Sequence, residues 1–301
     1  MSKNLKRIFE GRVAAITGGG KGLGKAYALW LAQRGCAVIV NNRAHVDVPS
    51  SAQAVVDEII QDGGTAIAHN GAIDNKTSAA NLIQSAVDHF GKLDILICNA
   101  GIMPEAAFAD ANLDDIEKLI NINLLGTIYP LQAAWQHMLV SGYGRIVLTG
   151  STVGIYGHAG VAAYGASRGA VLELARSLTL ETPAEADIKV NTILPFAYTN
   201  MSASPINEAM DKIAIDAITP DKIAPTVGWL CSEACNQRGA VFHASALKVT
   251  RAGIVESAPV AVDPNDVEKL SEAQFSLEPI FEPIDSTSAV TRLLSGAVAN
   301  R

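Results

Sequence analysis

Short apolar runs rich in Val, Ile and Ala recur along the first 245 residues, and between them apolar positions fall at the three- and four-residue spacing of a helix. The runs predict strands over 12–17, 36–41, 65–69, 93–99, 145–151, 189–194 and 241–244, and the intervals predict helices over 22–34, 53–62, 77–90, 114–139, 164–181 and 221–231. Runs such as CAVIV and LDILIC have no polar face, so both sides of those strands must be covered. Strand alternating with helix in this way predicts an α/β fold, a doubly wound parallel seven-stranded sheet with helices on both faces. One domain is expected over 1–255, with a C-terminal extension over 256–301. Two stretches break the rhythm: 195–220, which begins and ends in proline, and the segment after 257, with Pro259, Pro264, Pro279 and Pro283. Long connections in compact domains usually serve as lids or substrate loops.

Composition narrows the function. No window of the 301 residues approaches the roughly 18 apolar positions of a membrane span. The 30 acidic against 23 basic side chains leave −7, the wrong sign for a nucleic-acid binder, which needs a basic stripe. From Glu256 onward there are eight acids and three bases, so most of that charge belongs to the tail. Cys36, Cys98, Cys231 and Cys235 form no Cys/His ligand set, so free thiols and no metal are expected. The first twenty residues lack the apolar core of a secretory signal, and Ala299-Asn300-Arg301 is not a Ser-Lys-Leu address. The expectation is a cytoplasmic protein with neither membrane nor nucleic-acid partners.

The chemistry begins where the first strand runs into Thr17-Gly18-Gly19-Gly20-Lys21-Gly22-Leu23-Gly24 ahead of a helix. Glycines let the backbone approach a phosphate, and the helix N-terminus offers unpaired N–H groups. Gly19 to Lys25 fits the start of a triphosphate-binding loop, but Ala26 stands where the Ser or Thr magnesium ligand belongs. What remains is TGxxxGxG. The second strand ends at Asn41-Asn42-Arg43, where a dinucleotide fold reads the adenosine ribose. Neutral Asn42 followed by Arg43, with Lys21 in the glycine turn, gives two cations and no acid there, which favours NADP(H) over NAD(H). Further on come Asn99-Ala100-Gly101 at the end of the fourth strand, Asn123 in the long helix, Ser151 at the end of the fifth strand, and Tyr164 with Arg168 one helical turn later on the same face.

In order and spacing these elements resemble the short-chain dehydrogenase/reductase family, over residues 10 to about 245. The resemblance implies a Rossmann-like fold, a nicotinamide cofactor, a small-molecule substrate and a homodimer or homotetramer. It places the cofactor on Gly18, Gly20, Lys21, Gly22, Leu23, Gly24, Asn42, Arg43, Asn99, Ala100, Gly101, Pro195 and Thr199. It makes Tyr164 the general acid/base, Ser151 the hydroxyl that orients the substrate oxygen, and Asn123 the holder of the helix backbone and of a relay water. Hydride transfer at a carbinol carbon needs a proton moved at its oxygen, and a cation held beside a phenol favours its phenolate. Arg168 stands where the family carries lysine; it keeps the charge but does not readily release a proton.

A narrower resemblance rests on Phe9-Glu10-Gly11-Arg12, Gly154-Ile155-Tyr156-Gly157, Ala224-Pro225 and Trp229-Leu230-Cys231-Ser232-Glu233. These look like the (3R)-hydroxyacyl-CoA dehydrogenase units of peroxisomal multifunctional enzymes, a group that includes hydroxysteroid dehydrogenases. The chain departs from that group at Asn42, where an acid is usual, at Gly71, where an Asp often lies near adenine, and at Pro195-Phe196, where Pro-Gly is usual. Phe196, Tyr198, Met201 and Met210 are candidates for an apolar substrate wall, and His158 lies near its mouth. The expected activity is NADP(H)-dependent oxidoreduction of a secondary alcohol or ketone on a bulky apolar substrate, a 3-hydroxyacyl-CoA or steroid-like molecule. Two alternatives stay open: a reductase of 3-oxoacyl thioesters or small ketones, and a non-catalytic NADP(H)-binding protein in which Arg168 marks lost turnover.

Overall fold

The computed structural model describes residues 6–199, 201 and 212–259, with the side chains of 212–214 excepted. Met210 and most of the acidic tail therefore lie outside the described residues. Contacts divide the chain into two units, 1–251 and 252–301, and of the second only 252–259 are described, without a helix.

The first unit carries one sheet of eight strands: β1 (Val13–Thr17), β2 (Ala37–Asn41), β3 (Thr65–His69), β4 (Ile95–Cys98), β5 (Tyr143–Thr149), β6 (Asp187–Pro195), β7 (Val241–Ser245) and β8 (Lys248–Ala252). Their order is β3-β2-β1-β4-β5-β6-β7-β8, and the first seven run parallel. The seven-stranded expectation is met and exceeded by one. β8 folds back from β7 through Ala246 and Leu247, both with positive φ, the two-residue geometry that suits a hairpin's twist. Neither residue is a usual turn former, and the exposed strand that follows shows no alternation, so sequence pattern did not reveal it.

Alternate strand residues face opposite layers. Ala14, Ile16, Ile95 and Ile97 pack with Tyr27, Leu31, Val55 and Leu230 on one side. Those four belong to α1 (Gly22–Ala32), α2 (Ser51–Gln61) and a later helix, Ala224–Cys231. Val13, Ala15, Leu96 and Cys98 pack on the other side with Leu82, Ile83, Trp135, Met138 and Val171. These come from α3 (Lys76–Phe90) and from two helices described next.

The single helix expected over 114–139 is two. α4 (Leu113–Ile120) passes through a π turn, Asn121–Leu125, into α5 (Gly126–Ser141). Pro130 lies further on, inside α5, where it has no N–H for the Gly126 carbonyl. Strand β5 ends at Thr149, two residues earlier than expected, so Ser151 stands in the loop that enters the short α6 (Val153–Tyr156). After it, α7 (Ala162–Leu180) carries Tyr164 in its first turn. The connection after β6 also holds α8 (Lys212–Ala217), and a 3-10 turn, Pro220–Lys222, precedes α9 (Ala224–Cys231).

One buried ion pair locks the far end of the sheet from the site. The fully buried Arg145 donates to Asp187 Oδ2 at 2.7 Å and to the carbonyls of Asp187 and Ser232. Partial burial pushes the Asp187 carboxyl up, but hydrogen bonds from Arg145 and Lys189 outweigh it and leave the group below its ordinary value. A carboxyl depressed on folding adds stability above its unfolded range, and that stability is lost as pH falls through the folded value. Asp187→Asn is expected to cost about 1–2 kcal/mol at neutral pH, less than the ~3–5 of a fully buried pair because Asp187 is half exposed. Urea denaturation at neutral and acid pH measures both parts: the cost shrinks in acid.

Candidate active site

Strand order reverses between β1 and β4, so the loops leaving their C-terminal ends diverge and open a crevice. A cleft of about 1130 Å³ lies there, walled by the loops after β1, β2, β4, β5 and β6. That exceeds the roughly 300–1,000 Å³ typical of a single drug-sized ligand, leaving room for a dinucleotide and a substrate together.

The glycine turn forms one wall. Gly18 and Gly22 adopt positive φ, 64° and 51°, and both line the cleft with Lys21 and Leu23. Lys21 precedes α1 without a side-chain cap, so the first N–H groups of the helix are left for an anion. Gly20 and Gly24 do not line the cleft. A Cβ at Gly24 would sit 2.3 Å from the Gly18 carbonyl oxygen, and one at Gly20 would sit 2.5 Å from Ser51 Oγ. These two glycines serve the cradle from behind by allowing the loop to lie close to α1 and α2.

At the adenosine end, Asn42 and Arg43 line the cleft, but each is already engaged. Asn42 Nδ2 donates to Ser51 Oγ at 2.8 Å, and Arg43 Nη2 donates to Asp74 Oδ1 at 2.5 Å. The expectation that no acid stands at this end needs correction: Asp74 comes from the loop after β3 rather than from the end of β2. Gly71 cannot be replaced by the family's Asp without rearrangement, because a Cβ there would meet Ser78 Oγ at 1.9 Å. Asn41, beside it, donates to the Gly71 and His69 carbonyls and to His69 Nδ1. Burial pushes the His69 imidazole down, which suits a neutral ring accepting that bond.

At the other end stand the residues of the expected constellation. Tyr164 is nearly buried beside Leu119 and Val161, and it lines the cleft. Ser151 also lines the cleft, and its Oγ accepts from the Val153 N–H at 3.2 Å. Arg168 is only 2% exposed. Its Nη1 donates to the Thr149 carbonyl at 3.0 Å, its Nη2 reaches toward the Ala100 carbonyl at 3.5 Å, and its Cζ lies 5.5 Å from the Tyr164 ring centre. A cation therefore lies beside the Tyr164 ring. Gly101 makes the space: a Cβ there would lie 1.9 Å from Arg168 Nη2.

Asn123 stands apart. It is fully buried, does not line the cleft, and spends its side chain on the Ile102 N–H and carbonyl and on Ser167 Oγ. Its own carbonyl accepts from Thr127 Oγ1 at 2.8 Å. Holding backbone is thus what the Asn123 side chain does here. Ser167 in turn donates to the Tyr164 carbonyl at 2.7 Å, joining the π turn to the first turn of α7. Of the substrate-wall candidates, Phe196, Tyr198 and Met201 line the cleft, as does His158, whose Nδ1 bonds the Ala159 carbonyl.

Two atoms test the fit to a nicotinamide nucleotide. Arg168 Nε and Thr149 Oγ1 are buried without a partner, both on residues that line the cleft. Such polar groups are costly to leave unpaired, and the hydroxyls of a ribose would satisfy them. With Gly18, Gly22 and the start of α1 as a phosphate cradle, the residues present fit that group. Thr149 and Asp74 were missed by sequence reading, since a threonine at a strand end and an acid 31 residues from its partner carry no local signal. Cys98 lies beneath this region, and burial pushes its thiol up to about 12, which makes it inert.

The sequence model of one family, described as short chain dehydrogenase, matches residues 12–210. The chain is 37% identical over 243 residues to the peroxisomal multifunctional enzyme type 2 of Mus musculus, covering 79% of this chain and 32% of that protein. It is 34% identical over 296 residues to the peroxisomal multifunctional enzyme A of Dictyostelium discoideum, covering 97% of this chain and 65% of the relative. Among solved structures, the full-length peroxisomal multifunctional enzyme type 2 of Drosophila melanogaster superposes with a TM-score of 0.80 at 28% identity, covering 97% of this chain and 50% of that one. The chain thus spans a third to two thirds of the length of these relatives. No helix among the described residues is long and apolar enough to cross a membrane.

Proposed function

The chain belongs to the short-chain dehydrogenase family, and from that premise we propose that it is an oxidoreductase acting on CH–OH groups, interconverting a secondary alcohol and a ketone on a bulky apolar substrate with NADP(H). The substrate class is a 3-hydroxyacyl-CoA or a steroid-like molecule. The observation that carries the reading is Tyr164 in the same cleft as Ser151 and the glycine turn, backed by a buried cation. Ile102, Met103, Val153 and Phe196 give the cleft an apolar wall at that end, which favours a bulky apolar substrate over a small ketone.

When bound, the nicotinamide supplies or takes the hydride. Every other part of the work falls to this chain. Tyr164 gives its proton to the substrate oxygen in reduction and recovers it in oxidation. Ser151 holds that oxygen in line, and Arg168, anchored on the Thr149 carbonyl beside the Tyr164 ring, meets the ribose hydroxyls. Lys21 and Arg43 receive the 2′-phosphate, the basis for preferring NADP(H). Pro195, Thr199, Asn99 and Ala100, which line the cleft, would hold the nicotinamide half of the cofactor. Asn123 acts as a positioning residue through Ile102 and Ser167. Assembly as a dimer or tetramer is part of the same proposal, read by light scattering.

The test is NADPH oxidation with a panel of 3-oxoacyl-CoA thioesters of increasing chain length, ketosteroids and small ketones. The expected result is a kcat/KM at least tenfold higher for long-chain thioesters or steroids than for small ketones, since a few buried methylenes are worth about that much. A preference for small ketones sinks the substrate assignment. Tight NADPH binding with no turnover on any member sinks the catalytic roles.

A further inference from the structure

The cationic side of the adenosine end is half committed before any ligand arrives. Lys21 forms no ion pair among the described residues, whereas Arg43 is paired with Asp74, and the two carboxylate-guanidinium partners are 22% and 41% exposed. Arg43 lines the cleft and Asp74 does not, so the acid holds the guanidinium from behind. Asn42 adds no charge and is tied to Ser51. A phosphate dianion arriving here therefore meets one free cation and one neutralised pair. A guanidinium has five donors and can serve a carboxylate with one edge and a phosphate with another. The carboxylate charge nevertheless opposes the incoming phosphate across that same group.

We infer that Asp74 is a specificity-determining residue for the cofactor: by holding Arg43 it restrains the preference for the 2′-phosphate and keeps NAD(H) competitive. This rests on the reading above that Lys21 and Arg43 receive that phosphate. The control thus lies at a residue 31 positions along the chain from Arg43.

Equilibrium titration of the full chain with NADPH and with NADH, following nucleotide fluorescence, tests it in wild type, Asp74→Asn, Arg43→Ala and the double variant. Asp74→Asn preserves shape and removes charge. It is expected to tighten NADPH about tenfold, the scale of one charge contact at a partly screened distance, and to leave NADH unchanged. In the Arg43→Ala background the same change is expected to tighten NADPH clearly less than in wild type, because only the through-space repulsion is left once the mediator is gone. Asp74→Asn that weakens NADPH, or shifts both nucleotides alike, overturns the inference and makes Asp74 a loop support. Arg43→Ala that leaves the NADPH-to-NADH ratio unchanged overturns the phosphate reading itself, and the inference with it. A melting curve for each variant separates loss of fold from loss of binding.

Discussion

Tyr164→Phe is expected to lower kcat/KM on the order of 10³-fold, within the range attributed to a positioned proton donor, while the affinity for NADPH and the melting temperature barely move. The asymmetry follows from where the hydroxyl is. The ring packs against Leu119 and Val161, and phenylalanine keeps that packing. Tyr164 lines the cleft, so removal of its oxygen subtracts mainly what it does to a bound substrate. Steady-state kinetics with the best substrate of the panel, beside a nucleotide titration, reads both quantities. Activity within tenfold of wild type would move the proton chemistry to another group.

The second large effect concerns a glycine. Gly101→Ala places a methyl 1.9 Å from Arg168 Nη2 and 3.1 Å from Asn123 Oδ1. The first contact is with the far end of a flexible side chain, so the guanidinium moves rather than the backbone. It must then leave the Thr149 and Ala100 carbonyls that hold it on the Tyr164 ring. Stability is expected to change by no more than about 1 kcal/mol, but turnover by roughly 10²-fold, the usual consequence of displacing a catalytic group by an ångström. The shorter, narrower lysine relieves the contact, so Arg168→Lys combined with Gly101→Ala is expected to recover a large part of the loss. Kinetics of the two single variants and the double one decide it. A double variant no better than Gly101→Ala alone would mean that Gly101 acts by another route.

What the sequence made legible was local chemistry with a fixed offset. The glycine turn, the residues at strand ends, and Tyr164 with Arg168 one turn apart each depend on spacing within a few residues, and the structure brings them to one cleft. The strand alternation worked for the same reason, since covered parallel strands leave unbroken apolar runs. The failures come from partners distant along the chain. Asp74 reaches Arg43 across 31 residues, and Asn123 is drawn away from the cleft by Ile102 and Ser167. Gly20 and Gly24 read as phosphate contacts but are needed because α2 and the Gly18 carbonyl pass too close for a side chain. The π turn between α4 and α5 was hidden because the helical periodicity runs through it, and only Pro130 hinted at a break.

Arginine at 168 gathers these strands. Lysine there would be a point charge on a slender stem, whereas the guanidinium is planar, permanently charged and held flat against a glycine. Its fixed bond to Thr149 makes it a support for the phenol and the cofactor rather than a carrier of protons.

The most direct measurement of the central claim is isotopic. The enzyme is incubated with a 3-oxoacyl-CoA and NADPH bearing deuterium at both C4 positions, and the hydroxyacyl product is weighed by mass spectrometry. The expected result is one deuterium at the carbinol carbon of the product, present with wild type and reduced to trace product with Tyr164→Phe. Product without deuterium, or none formed while NADPH binds tightly, would contradict hydride transfer in this cleft.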